Sequence, residues 1–95
     1  MRIIGEIPHP TLKITVFSTT TRFPVQFEDG DLAQIIRLRK GPQMDNLNDV
    51  KTWVDEQLIS AIIRTFTEMR QQLLAAHQRK SKKSNTNEDE LPNII

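Results

Sequence analysis

The chain is expected to fold as an α+β domain, a four-stranded antiparallel β-meander followed by one long amphipathic α-helix. Three observations predict this. Apolar residues recur with a period of two before Gly41-Pro42 and at steps of three and four after it, the switch that separates strands from a helix. Asp29-Gly30 stands between two alternating runs, where a tight hairpin needs residues that tolerate positive backbone angles. From Asn46 onward, Val50, Val54, Leu58, Ile62, Phe66, Met69, Leu73 and Ala76 trace the apolar stripe of a helix.

Residues 2–7 read as the first strand, stopped by Pro8 and Pro10, neither of which can donate to a ladder. In residues 11–18, Leu12, Ile14 and Val16 alternate with Lys13, Thr15 and Phe17, so one face is expected to be buried and the other solvated. Phe23, Val25 and Phe27 repeat the pattern. Pro24 is tolerable there if it lies near the strand's start with its nitrogen facing outward. A two-residue turn at Asp29-Gly30 pairs Phe27 with Leu32 and Phe23 with Ile36, while Gln34 interrupts the apolar row. The same register sets Arg22 opposite Arg37. Like charges across a ladder repel unless an anion joins them, or unless a bulge or a bend of the fourth strand separates them.

The helix is expected to run unbroken over residues 47–78, with any kink near the β-branched Thr65 and Thr67. Asn46 or Asn48 can cap its start, with Asp49 in the first turn and Arg79 and Lys80 near its end, the polarity the helix dipole favours. About 30 residues at 1.5 Å each give a rod of roughly 45 Å, whereas a seven-residue strand spans about 23 Å. The helix therefore outruns its sheet, and an apolar strip at Phe66, Met69, Leu73 and Leu74 is expected to bury itself in a homodimer or higher oligomer. A break near Arg70 that folds the last turns back on the sheet is the monomeric alternative.

Composition bounds the rest. Ninety-five residues make one domain, placed at residues 1–78, with a charged and flexible tail at 79–95. In that tail a basic run at 79–83 precedes acidic residues at 88–90 and an apolar hook of Leu91, Ile94 and Ile95, which could dock on a protein partner. Cysteine is absent, so neither disulfides nor thiolate metal sites can staple the fold. No apolar run approaches the roughly 18 residues of a membrane span, and residues 1–10 lack a secretory stretch, so a soluble cytoplasmic protein is expected. A net charge of +1 is too small for the whole-chain field of a dedicated duplex-DNA binder, so any polyanion site must be local.

Catalytic chemistry finds little footing. His9 and His77 have no second histidine or cysteine at ligand spacing, so no metal is expected. The three glycines, Gly5, Gly30 and Gly41, never cluster as a phosphate cradle requires, and no cofactor is expected. The serines lack a histidine partner, and Asp55 with Glu56 reads as helix solvation, so the chain is not read as an enzyme.

What remains is a surface. Lys13, Thr15 and Phe17 share the non-core face with Gln26, Ile35, Arg37 and Arg39, beside Arg22 and Lys40. An aromatic ring among guanidiniums suits single-stranded nucleic acid, since bases stack on the ring and phosphates pair with the cations. Lys13, Phe17, Arg22, Arg37, Arg39 and Lys40 are the candidate contacts. Alternatively, Phe17 and Ile35 cover a second apolar layer against another subunit or the tail. In its order of elements the chain resembles the repeat unit of the PUR and Whirly families over roughly residues 1–78, without matching their signature residues. That resemblance implies paired strand-and-helix units that bind single-stranded DNA or RNA on strand surfaces. The run IGEIPHPTLKITVF also resembles small proteins of bacteriophages and mobile elements. The expected function is thus a homodimeric single-stranded nucleic-acid-binding module in replication or genome handling. A phage assembly or interaction factor using the outer sheet face and the hook is the rival.

Overall fold

The computed structural model describes residues 1–90, with side chains described for residues 1–80, and places the apolar hook outside the described residues. Four strands, β1 (Arg2–Ile7), β2 (Lys13–Ser18), β3 (Arg22–Asp29) and β4 (Leu32–Arg39), form one antiparallel sheet in sequence order. Two helices follow, α1 (Leu47–Trp53) and α2 (Glu56–Glu90). The meander and the long helix are as expected. The backbone of α2 continues past residue 78 to Glu90.

One face of the sheet carries the core. Leu12, Ile14, Val16, Phe23, Val25, Phe27 and Leu38 pack there against Val50 and Val54 from the α1 side and Ile62 and Phe66 from α2. Their burial is the main driving force for the fold, at about 1.5–3 kcal/mol for each large apolar side chain. The close approach of α1 explains Gly5, because a Cβ there would lie 2.6 Å from Leu47 Cδ2. Next to it a bulge at Ile4 shifts the ladder, so that Ile3 pairs with Phe17 and Gly5 with Val16.

The β3–β4 register is displaced by two residues from the expected one. Asp29 pairs with Leu32, Phe27 with Gln34, Phe23 with Leu38 and Arg22 with Arg39. Gly30 has φ of 64°, and among the described residues no other has a positive φ. The first turn position demands that angle, so the two-residue loop is Gly30-Asp31 rather than Asp29-Gly30.

Pro24 also differs from expectation. It is the third residue of β3, an interior strand. The Arg22 N–H donates to Thr19 Oγ1, and the Arg22 carbonyl accepts from the Thr19 N–H. By strand alternation the Pro24 nitrogen therefore points toward β2 and not outward. The β2–β3 ladder stops one residue short of it, at Val16–Val25, whereas the β3–β4 ladder runs on to Arg22–Arg39. The missing donor thus falls where one ladder ends.

The single helix is in fact two, and the break is at Val54-Asp55 rather than at Thr65 and Thr67. Asn46 caps α1 by accepting from the Asp49 N–H at 2.9 Å. Val54, with φ of −84° and ψ of 85°, ends it, and the Asp55 N–H bonds back to the Trp53 carbonyl as an inverse γ-turn. Asp55 then caps α2, its Oδ1 accepting from the Leu58 N–H at 2.9 Å. Thr65 and Thr67 turn their hydroxyls onto the carbonyls of Ala61 and Ile63 without interrupting α2.

Candidate functional site

The outer face of the sheet has no helix on it. Following the register across the strands, its rows are Ile3, Phe17, Pro24 and Arg37, then Glu6, Thr15, Gln26 and Ile35, then Lys13, Glu28 and Ala33, with Arg22 and Arg39 closing the opposite end. The row from Ile3 through Phe17 to Pro24 is apolar, and Ile35 lies one row further on: Ile3 is 62 % and Ile35 50 % exposed, Phe17 is half-buried, and Pro24 is buried. Thr15, expected to face solvent, is buried on this face, walled in by its cross-strand neighbours.

Charge is segregated along the strands. Arg22 and Arg39 stand directly opposite, with Arg37 in the next row of the same face. The Arg22 guanidinium reaches only the Thr21 carbonyl, at 3.4 Å. Among the described residues the one ion pair is Arg70–Asp29, at 3.1 Å, and it lies elsewhere, so none of these three arginines has a carboxylate partner. Both carboxylates of the face, Glu6 and Glu28, lie toward its other end. Adjacent like charges across a ladder cost stability, so this end of the face carries an unmatched basic cluster.

The structure brings together four of the six proposed contacts and separates two. Phe17, Arg22, Arg37 and Arg39 share the basic end. Lys13 lies four residues from Phe17, about 13 Å along the strand, and opposite Glu28, which offsets its charge. Lys40 belongs to the other side of the sheet. It has the parity of Leu38, its Nζ donates to Ser18 Oγ at 2.9 Å and to the Thr19 carbonyl at 2.6 Å, and it sits 4.8 Å over the Phe23 ring. It clamps the β2–β3 connection instead of extending the basic face. Ile3 and Pro24 are the residues the sequence reading missed. Register would have found Pro24, since it must share the row of Phe17 once Val16 and Val25 pair.

Of the four residues proposed for a dimer, Phe66 is 1 % exposed within the single chain and belongs to the core. Met69, Leu73 and Leu74 are exposed at 44 %, 40 % and 58 %.

A cleft of about 470 Å³ brings His9 near Glu56 and Ser60, between the β1–β2 loop and α2. His9 Nδ1 is committed to the backbone, accepting from the N–H groups of Thr11 and Leu12 at 3.1 Å each, and no hydrogen bond joins His9 to Ser60. The ring braces the loop. Among the described residues no cluster of three potential ligands could hold a metal ion, and no helix is long and apolar enough to cross a membrane. Comparison with known proteins gives no match to a family model, a curated protein or a solved structure.

Proposed function

We propose that the chain is a non-catalytic binding module that takes single-stranded nucleic acid on the basic end of its outer sheet face, in a replication or genome-handling role. The observation that carries this reading is the cross-strand Arg22–Arg39 pair with Arg37 beside it and no carboxylate at hand. Such a cluster is repulsive in the free protein and is relieved by a polyanion. Phosphates would bridge the guanidiniums while a base stacks on Phe17, the aromatic ring of the same face. The resemblance to PUR and Whirly units in element order agrees with this reading.

Fluorescence anisotropy with short oligonucleotides at two salt concentrations tests it. Affinity is expected to fall steeply with salt, because each phosphate contact releases counterions. Phe17→Ala should cost about 1–3 kcal/mol of binding by loss of stacking. The combined substitution of Arg22, Arg37 and Arg39 should abolish binding, and undiminished affinity in that variant removes the reading.

A second reading is favoured by the exposure of Ile3 and Ile35, aliphatic side chains that add apolar area without stacking. On it, the same face docks a protein partner. Salt then has little effect, and Ile35→Glu is more damaging than loss of the arginines.

A further inference from the structure

We propose that α2 pairs antiparallel with α2 of a second copy of this chain, through the strip Ile63, Met69, Leu73 and Leu74. The proposal concerns a different surface from the outer sheet face and does not rest on the nucleic-acid reading.

The stripe that packs on the sheet does not stop where the sheet does. Ile62 and Phe66 are buried at 4 % and 1 %, and the next members of the series, Met69 and Leu73, are 44 % and 40 % exposed. From Phe66 to Lys80 the helix extends about 21 Å. Arg70 still reaches Asp29 at the end of β3, at 3.1 Å, but among the described residues no side chain of α2 beyond Phe66 belongs to the buried core. The molecule is correspondingly elongated, at 61 × 27 × 17 Å. Ile63 and Leu74, 38 % and 58 % exposed, widen the strip on one flank. Burial of one such side chain stabilises by about 1.5–3 kcal/mol. An uncovered row of them along a helix suits a second helix of the same pattern, with its knobs set into the gaps at steps of three and four.

Orientation follows from shape and charge. Each sheet lies on the same side of α2 as the strip, so a parallel pair would force both sheets into the space between the helices. A parallel pair would also stack Arg79 and Lys80 of one copy on those of the other. An antiparallel pair centred near residue 70 sets the sheets at opposite ends. Ile63 then lies beside His77 of the second copy, and Arg79 and Lys80 lie within about a turn and a half of Glu56 at the start of the other α2. Arg79 of the two copies end up about 27 Å apart, beyond the roughly 8–10 Å over which charges act at moderate salt. The facing strip is short against the interfaces of about 1,600 Å² that specific complexes bury, so a micromolar dimer is expected and not an obligate one.

Sedimentation equilibrium of the full chain from 1 to 100 μM is the test. The expected result is a mass that rises with concentration from 11.0 kDa toward twice that value, while a mass fixed at 11.0 kDa overturns the proposal. Leu73→Glu and, separately, Met69→Lys should hold the mass at the monomer value with an unchanged circular dichroism spectrum, because both side chains are exposed in the single chain. Ile35→Glu should leave association intact. If Ile35→Glu abolishes association and the α2 variants do not, the copies meet through their sheets and the proposal fails. The chain has no cysteine, so orientation is read by disulfide trapping. A mixture of Ile63→Cys and His77→Cys chains should give the mixed disulfide. A His77→Cys homodisulfide in its place shows a parallel pair.

Discussion

Lys40 shows how one residue's role depends on parity. Its chemistry, a cation next to Arg39, suits a polyanion site. A strand turns successive side chains to opposite faces, however, and Lys40 follows Leu38 inward, where Ser18, Thr19 and the Phe23 ring take up its ammonium. Lys40→Met keeps the stem and removes the donors, so it should lower stability by about 1–3 kcal/mol, from the charge-assisted hydrogen bonds and the cation–π contact together. Urea denaturation followed by circular dichroism checks this. An unchanged midpoint would show the ammonium to be merely solvated, and a fall in oligonucleotide affinity without a fall in stability would return Lys40 to the site. The residue types of the basic face were legible in the sequence, as Arg37 and Arg39 fall on the outer face in either register. The side of Lys40 was not legible, because a residue next to Arg39 in sequence lies on the opposite face of the strand.

At the scale of elements, the four strands and their order could be read from alternation alone, because one buried face imposes a period of two on each strand. Register and helix continuity could not. The apolar rows of β3 and β4 match almost equally well when slid by two residues, since such a slip keeps every side chain on its face. Only the angle at Gly30 fixes it. Likewise Val50, Val54, Leu58 and Ile62 keep helical spacing straight through the break, because both helices pack on the same sheet face. The local signal was Asp55, a residue whose side chain competes with the backbone inside a helix and caps well at its start. Asp55→Ala removes the acceptor for the Leu58 N–H and should cost about 0.5–2 kcal/mol. Trp53, two residues away and 45 % exposed, is the chain's one tryptophan, and its fluorescence reports on the junction. A thermal midpoint identical to that of the parent chain would mean that the turn at Val54, not the cap, sets the break.

For the whole molecule, α2 plays two parts that meet near residue 66. Up to Phe66 it is a wall of the core, and beyond it the same stripe lies in solvent within the single chain. These halves respond differently to truncation. Phe66→Ala opens a cavity between α2 and the sheet and should cost about 3–5 kcal/mol, the range for a large buried aromatic, at any protein concentration. Leu73→Ala removes a side chain that is already 40 % exposed, so its cost within one chain should stay within about 1 kcal/mol. If the second half of α2 is covered by another copy, folding and association are linked, and the parent chain should gain stability as it is concentrated. Leu73→Ala should flatten that concentration dependence, whereas Phe66→Ala should lower the whole curve while keeping its slope. Denaturant titrations at 1 and 100 μM for the three chains separate the cases. Equal losses for both variants at both concentrations would mean that Leu73 is part of the single-chain core, and that the boundary drawn at Phe66 is misplaced.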